Sequence, residues 1–240
     1  MTPFARLCRA TPARLGVGRA GSRPRTATLL AFRRDHAAAR DAVWSAWSPA
    51  FLEWLSARGF LCVHSAAPDR RAYVLTPPLG RQLAAGEVAR IRAANAAAVR
   101  GDTAGPSVQL VLSDGLSAIA AERHAEVIVP RLLEGLRRLG PVCVPVAVHN
   151  GRVAVGDAVA SASAAGCVVH LIGERPGLGS ADSLGCYLTY RPGALTTDAD
   201  RKCISNIHAA GLNPAEAAAT IIGTVRRILA AGTSGMDLIL

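Results

Sequence analysis

The segment Cys167-Val168-Val169-His170-Leu171-Ile172-Gly173-Glu174-Arg175-Pro176-Gly177-Leu178-Gly179 decides the fold, because a buried strand runs directly into a glycine-rich loop. Similar apolar runs at Val108–Leu112 and Val142–Val148 predict two earlier strands. Helical spacing over Ala118–Leu139 and Asp157–Ala165 separates the three strands. Because strand and helix alternate, we expect parallel pairing. Nearly continuous apolar strands predict helices on both faces, as in a doubly wound, Rossmann-like three-layer α/β sheet.

Further elements extend this sheet at the C-terminal end of the chain. Cys186–Tyr190 predicts another strand, and Asn213-Pro214 begins a final helix that ends near Gly232. The sequence therefore predicts an α/β domain of mainly parallel strands over residues 106–240.

The first part of the chain predicts a smaller, mainly helical domain or arm over residues 1–105. Its candidate helices are Thr26–Val43, Ala46–Ala57 and Gly86–Val99. Two short runs, Leu61–Val63 and Ala72–Leu75, are interpreted as strands on either side of a turn. The polar, glycine-containing segment Gly101-Asp102-Thr103-Ala104-Gly105-Pro106 is the strongest linker signal, so we place the domain boundary there.

The basic charge of the chain is concentrated near its N-terminus. The formal net charge is +10, and residues 1–40 hold nine arginines against the single acid Asp35, which accounts for +8 of it. A nucleic-acid-binding arm is one interpretation, but Phe4 is the only aromatic residue in positions 1–31, so bases would have no stacking surface there. We therefore expect no nucleic-acid partner.

Cysteine pattern and hydropathy bear on location and metal binding. The six cysteines form no Cys-x-x-Cys pair, which favours reduced thiols over zinc sites or a disulfide framework.

The apolar runs are far shorter than the ~20 residues of a membrane-crossing helix, so no membrane association is expected. The cytoplasm is the expected location, and the arginine-rich start leaves a mitochondrial-type presequence as the alternative.

Three strand-exit loops are candidates for a ligand site, because ligands of open α/β sheets lie outside the carboxyl ends of the strands. These loops are Ser113–Ser117, Asn150–Val153 and Glu174–Ser180, and the third has the composition of a ligand loop. It lacks the third glycine of the dinucleotide fingerprint, and the chain has no P-loop lysine and no Asp-x-His-x-x-Gly motif for a cobalt ligand. A stand-alone nucleotide-binding α/β protein remains the alternative that fold class alone would favour.

Each polar candidate also has a purely structural interpretation. Glu174 could form a solvated ion pair with an arginine such as Arg175, and Cys203 could be a buried filler. Asp114 could simply form a turn, His208 could cap one, and the acids of Asp198-Ala199-Asp200 could cap a short helix after Thr197.

Taken in order, several segments resemble the small subunit of ethanolamine ammonia-lyase. The matching segments are Ser113–Ser117, Gly173–Gly179 with its continuation through Asp182-Ser183-Leu184 to Tyr187, Thr197–His208, and Glu216-Ala217-Ala218-Ala219. The arginine-rich start also fits, through Thr11-Pro12-Ala13-Arg14, Gly18-Arg19-Ala20-Gly21 and Arg23-Pro24-Arg25-Thr26, so the resemblance covers nearly the whole chain and is weakest across residues 44–106.

The resemblance implies a subunit of an adenosylcobalamin-dependent lyase that converts ethanolamine to acetaldehyde and ammonia by a radical mechanism. In that family a large barrel subunit carries the substrate site, and the small subunit closes over the corrin at their interface. Carried over by position, the cobalamin contacts are Val153, Glu174 and Cys203, with no catalytic or metal-ligating residue on this chain. Residues 1–105 would then contact the large subunit in a hetero-oligomer.

Two departures from the family pattern bear on this reading. Some members carry a long N-terminal extension that targets a bacterial microcompartment, and this chain starts almost at the arginine-rich arm. A microcompartment is therefore a second possible location, without that targeting extension. Lys202, next to Cys203, occupies a position where a small polar residue is more usual.

Overall fold

The N-terminal part of the chain is mostly helical. The computed structural model describes residues 2–11, 13–98 and 107–238. Before residue 99 its elements are α1 (Pro3–Ala10), β1 (Arg19–Ala20), β2 (Arg23–Pro24), α2 (Thr26–Trp44), α3 (Pro49–Ala57), β3 (Leu61–His64), α4 (Arg70–Leu75), a 3-10 turn (Pro77–Arg81) and α5 (Glu87–Ala98).

Strands and helices alternate regularly in the remainder. The elements are β4 (Val108–Ser113), α6 (Ala118–Arg137), β5 (Val146–His149), α7 (Val155–Ala162), β6 (Cys167–Gly173), β7 (Leu184–Tyr190), a 3-10 turn (Asp198–Asp200), β8 (Arg201–Ile207), α8 (Pro214–Ala231) and a last 3-10 turn (Gly235–Asp237). None of the helices in the described ranges combines the length and apolar character that crossing a membrane requires.

One six-stranded sheet organises the molecule in the order β3-β5-β4-β6-β7-β8. The pairings of β5 with β4 and β4 with β6 are parallel, as the helical crossovers predict. β3 also pairs with β5 in parallel, which the sequence analysis did not predict. The pairings of β6 with β7 and β7 with β8 are antiparallel. The sheet is therefore mixed, and the Rossmann-like, doubly wound arrangement stays a prediction.

Apolar side chains fill both faces of the sheet, because successive residues of a strand point to opposite sides. On β4, Leu110 and Leu112 belong to the cluster formed with α3, α6 and α8. Val111 belongs to the opposite cluster, which includes Ile91 of α5 and Val155 of α7. Helices thus cover both faces, as the apolar strands predict.

The first part of the chain is less separate than its helical pattern suggests. Leu61–His64 pairs with Val146–His149, so this segment supplies a strand of the main sheet. The predicted linker and domain boundary at Gly101–Pro106 lie outside the described residues. The division into residues 1–105 and 106–240 stays a prediction.

Several predicted elements need correction. The strand predicted at Ala72–Leu75 is wrong, because the Asp69 side chain accepts a hydrogen bond from the Ala72 amide at 2.7 Å and caps α4 instead. The strand predicted from Val142 begins at Val146, and Val142 contributes only an isolated bridge to Val108. The helix predicted from Ala46 starts at Pro49, where the Ser48 hydroxyl caps it. Strand β8 is absent from the sequence prediction.

Candidate functional site

The three predicted strand-exit loops meet at one edge of the sheet. The Leu116 amide donates to the Gly173 carbonyl at 2.9 Å, which joins the first loop to the third. The Asp114 carboxylate accepts from the Asn150 amide at 3.0 Å and from the Gly151 amide at 3.2 Å, which joins the first loop to the second. The crevice expected from strand direction is therefore built from all three loops.

Two glycines allow this close packing. A Cβ on Gly173 would lie 2.1 Å from the Ser117 carbonyl oxygen and 2.4 Å from that of Asp114. Gly115 has φ of +56°, and a Cβ there would lie 2.1 Å from the Gly173 carbonyl oxygen. Gly173 thus serves contact between loops, whereas Gly179 has nothing within 4 Å of an added Cβ.

Asp114 forms the turn expected from the sequence, since its carbonyl accepts from the Ser117 amide at 3.2 Å, and its side chain has a further role. Its side chain is buried, and it lies 3.4 Å from Arg70 Nη1 in addition to its two backbone donors. Burial raises the pKa of this carboxyl to about 6, although Arg70 and the backbone amides act in the opposite direction. Asp114 therefore ties α4 and two strand exits together.

Two adjoining cavities lie beside these loops. The larger, of about 610 Å³, is lined by Arg81, Arg152, Val153, Ala154, Tyr187, Thr196, Thr197, Asp198, Arg201 and Cys203. The smaller, of about 380 Å³, is lined by Tyr73, Leu116, Arg152, Val153, Ile172, Gly173, Glu174, Arg175 and Tyr187. Arg152, Val153 and Tyr187 belong to both. The three positions chosen from sequence, Val153, Glu174 and Cys203, thus surround one continuous surface.

A buried hydrogen-bond network fixes the position of Val153. Its carbonyl accepts from His170 Nδ1 at 3.1 Å, and His170 Nε2 lies 2.7 Å from the Ser113 hydroxyl. Because a carbonyl can only accept, Nδ1 carries the proton and Nε2 accepts from Ser113. Burial lowers the pKa of His170 to about 4, so the ring is neutral at pH 7. Polar residues within apolar strands were the sequence signal for this missed network.

The carboxylate of Glu174 is held by the antiparallel part of the sheet. It accepts a short hydrogen bond from the Ser183 hydroxyl and a longer one, at 3.3 Å, from the Asn206 amide. No arginine lies within ion-pair distance of Glu174 in the part of the chain that the structure describes. The ion-pair interpretation of this residue is therefore wrong.

Cys203 and Tyr187 are cross-strand partners on β8 and β7. Cys203 is exposed, so its interpretation as a buried filler is wrong. Partial desolvation raises the pKa of its thiol, and desolvation raises the pKa of Tyr187 to about 12. Both groups are protonated at neutral pH and give this side of the cavity a neutral polar surface.

The polar residues around β8 have structural roles: some cap turns, and the buried Arg201 forms ion pairs. His208 has a turn role as expected, since its Nε2 lies 2.8 Å from Asn206 Oδ1. Thr197 and Asp200 form a capping box, as predicted for the short helix. Asp198 instead forms an ion pair with Arg201 at 2.6 Å, and the buried Arg201 side chain also pairs with Asp157. This charge cluster, of which Asp198 and Arg201 line the larger cavity, had no local sequence signal.

Comparison with protein families adds one finding. A family model described as "Ethanolamine ammonia-lyase light chain (EutC)" matches residues 1–239. The match covers essentially the whole chain, including the arginine-rich start and residues 44–106, where the sequence resemblance is weakest.

Proposed function

Because the chain belongs to the ethanolamine ammonia-lyase light-chain family, we propose that it is the small subunit that helps bind and enclose adenosylcobalamin at the interface with the large subunit. The observation that carries this proposal is the pair of adjoining cavities around which Val153, Glu174 and Cys203 lie. When bound, adenosylcobalamin supplies a carbon radical through homolysis of its cobalt–carbon bond, and ethanolamine is the substrate of the whole complex.

The residues around the cavities suit a corrinoid. A corrin has an apolar ring edge and neutral amide side chains, so it needs apolar walls and a few directed polar groups. Val153, Leu116 and Ile172 supply apolar surface, and Glu174, Tyr187 and Cys203 supply polar atoms. No strong acid or metal ligand is required of this chain.

Val153 is proposed as a wall of fixed position. Its carbonyl is held by the neutral His170, which is in turn held by Ser113, so the loop backbone cannot shift without breaking two buried hydrogen bonds. Loss of these bonds would leave buried polar groups without partners. The wall is therefore preorganised before any ligand arrives.

Glu174 is proposed as an acceptor for amide or ribose donors. Ser183 and Asn206 hold its carboxylate, so little side-chain freedom is lost when a ligand donates to the remaining lone pairs. Cys203 is proposed as a small, soft contact, because its raised pKa keeps it as a thiol. Together these residues would bind the corrinoid and exclude water from it. The radical chemistry would take place on the large subunit.

The N-terminal part is proposed as a contact surface for the large subunit. Large apolar side chains on α1 and α2 are exposed, namely Phe4, Leu7, Leu30, Phe32 and Trp44. Such side chains on a charged arm are typical of an interface. We expect the complex in the cytoplasm, and encapsulation in a bacterial microcompartment is the alternative.

Co-expression with an ethanolamine ammonia-lyase large subunit tests the proposal. We expect adenosylcobalamin-dependent ammonia release from the purified complex and none from either chain alone. Ammonia release by the isolated small chain, or a complex that does not bind adenosylcobalamin, would contradict the proposal.

A further inference from the structure

Four arginines line the two cavities. Arg81, Arg152 and Arg201 line the larger cavity, and Arg152 and Arg175 line the smaller one. The acids in the two linings already have partners: Asp198 pairs with Arg201, and Glu174 is held by Ser183 and the Asn206 amide. Positive charge is therefore left over at the surface that the cavities share.

Arg152 carries this surplus charge. Within the described residues, no carboxylate lies within 4 Å of Arg152, Arg81 or Arg175. The Arg152 Nη2 atom donates to the Tyr73 carbonyl at 3.1 Å, while its buried Nε has no hydrogen-bond partner. A desolvated guanidinium without a negative partner is unfavourable, so an anion at this place would stabilise it.

The surrounding structure holds Arg152 in position. Its guanidinium lies over the Tyr73 ring, 4.4 Å from the ring centroid, and its amide donates to the Gly80 carbonyl at 2.7 Å. A Cβ on Gly80 would lie 2.7 Å from Arg152 Cγ, so the glycine leaves room for the arginine stem. Arg152 is thus a preorganised cation between two cavities, with exposed arginines on both sides.

Guanidinium groups bind phosphate particularly well, because their planar fork of N–H donors matches two phosphate oxygens. Adenosylcobalamin has one ionised group at its periphery, the phosphodiester that links its corrin to the lower nucleotide. Its other side chains are neutral amides. The substrate ethanolamine is a cation at neutral pH and would be repelled by this surface.

We propose that Arg152, flanked by Arg81 and Arg175, binds the phosphodiester of adenosylcobalamin. The inference rests on the proposed function and adds to it the group that recognises the only anionic part of the cofactor. Val153, Glu174 and Cys203 would contact the neutral corrin, and Arg152 would fix its orientation.

Two corrinoids that differ only in a phosphate test the inference by equilibrium binding to the small–large complex. Adenosylcobinamide lacks the phosphate, and adenosylcobinamide phosphate carries it. We expect the native complex to bind the phosphate form about 10- to 100-fold more tightly, as for a charge-assisted, bidentate contact. In the Arg152→Gln complex this preference should fall below about 3-fold, because the charge and the fork are lost.

A matched control is Arg131→Gln, which removes one exposed arginine on α6, a helix that packs on the cluster containing Leu110 and Leu112. It should retain the full preference for the phosphate form. If Arg152→Gln does not assemble, the double variant Arg81→Gln/Arg175→Gln replaces it, because both side chains are exposed. That variant should weaken binding of the phosphate form alone, by about 3- to 10-fold, since exposed charges are screened.

The outcomes separate this inference from the proposed function. Equal binding of the two corrinoids by the native complex, or a preference that survives in Arg152→Gln, would overturn the phosphate assignment while cobalamin binding stands. Failure of the native complex to bind adenosylcobalamin at all would overturn both. Inorganic phosphate should compete with the phosphate form and not with adenosylcobinamide; equal competition with both would mean that Arg152 serves a separate anion, which also overturns the assignment.

Discussion

Two walls of the same crevice are built in different ways. The parallel wall, defined as Asp114, Gly115, Gly151 and Gly173, consists of strand-exit backbone packed against backbone. The antiparallel wall, defined as Glu174, Tyr187 and Cys203, presents side chains held by β7 and β8. The first wall sets the shape of the crevice, and the second presents the polar side chains that a ligand could contact. Substitutions should therefore affect stability at the first wall and binding at the second.

Gly173→Ala should have the largest effect, because the added methyl would lie 2.1 Å from a backbone carbonyl oxygen. Backbone cannot move aside as a flexible side chain can, so we expect a loss of about 3 kcal/mol or more in the free energy of unfolding. Denaturant unfolding measures this loss. The matched control Gly179→Ala should be nearly neutral, and equal stability of the two variants would show that the loops are not packed as described.

Asp114→Asn should have the next largest effect, a loss of about 2 kcal/mol in the free energy of unfolding. The size of this loss should depend on pH. The folded pKa of Asp114 is about 6, above its ordinary value of 3.8, so the folded protein binds the proton more tightly than the unfolded chain does. The free energy of unfolding of the native protein should therefore fall, relative to the Asn variant, as the pH rises from about 4 to about 6.

Unfolding of both proteins at a series of pH values tests that sign. A difference that grows with rising pH would show that attraction to Arg70 outweighs the cost of burying the charge. A difference independent of pH would show that Asp114 does not titrate in this range.

Glu174→Ala should affect stability less, by about 1 kcal/mol, because it removes hydrogen bonds at a half-exposed position. Its effect on binding should be clear: we expect adenosylcobalamin affinity of the small–large complex to fall about 10-fold, the cost of one charge-assisted hydrogen bond. Titration followed by corrin absorbance measures it. A matched control is Glu53→Ala on α3, away from the crevice, and unchanged affinity in Glu174→Ala would remove this residue from the site.

The central strands of the fold could be predicted because their residues are buried together and apolar. Val108–Leu112 and Cys167–Ile172 lie within observed strands for this reason. By contrast, β8 has the sequence Arg201-Lys202-Cys203-Ile204-Ser205-Asn206-Ile207, and an edge strand with one exposed face carries little apolar signal. The sequence predicts a strand within Arg70–Leu75, where the structure has a helix, because six residues are too few to show helical spacing of apolar side chains. Asp69, a common N-cap residue directly before the helix, was the available signal.

The candidate site was predictable only in part. The rule that ligands lie at strand exits selects three loops that meet at one edge of the sheet. The family resemblance adds Val153 and Glu174 within those loops and Cys203 on β8. The sequence does not show which distant residues pair: Asp114 with Arg70, Arg201 with Asp157, and His170 with Ser113. For the last pair, polar residues within apolar strands were a signal of a buried network but not of its partners. Such pairs depend on strand register and helix placement, which a single sequence does not specify.

Cys203 should be the least important residue for stability, because its side chain is exposed, and a change to Ser should alter the free energy of unfolding by less than about 0.5 kcal/mol. The reactivity of its thiol can also report whether the antiparallel wall contacts adenosylcobalamin, which is the central claim. Its raised pKa means that alkylation should be measured at alkaline pH, where the thiolate forms.

The most direct test is the rate of Cys203 alkylation in the small–large complex, with and without adenosylcobalamin, read by mass spectrometry. Cys8 lies on α1, within the proposed contact surface for the large subunit, so its alkylation rate reports assembly of the complex and serves as the internal control for effects unrelated to the cofactor. We predict that adenosylcobalamin slows alkylation of Cys203 at least about 10-fold, since access controls thiol reactivity, and leaves Cys8 unaffected. Equal rates at Cys203 with and without the bound cofactor would contradict the account.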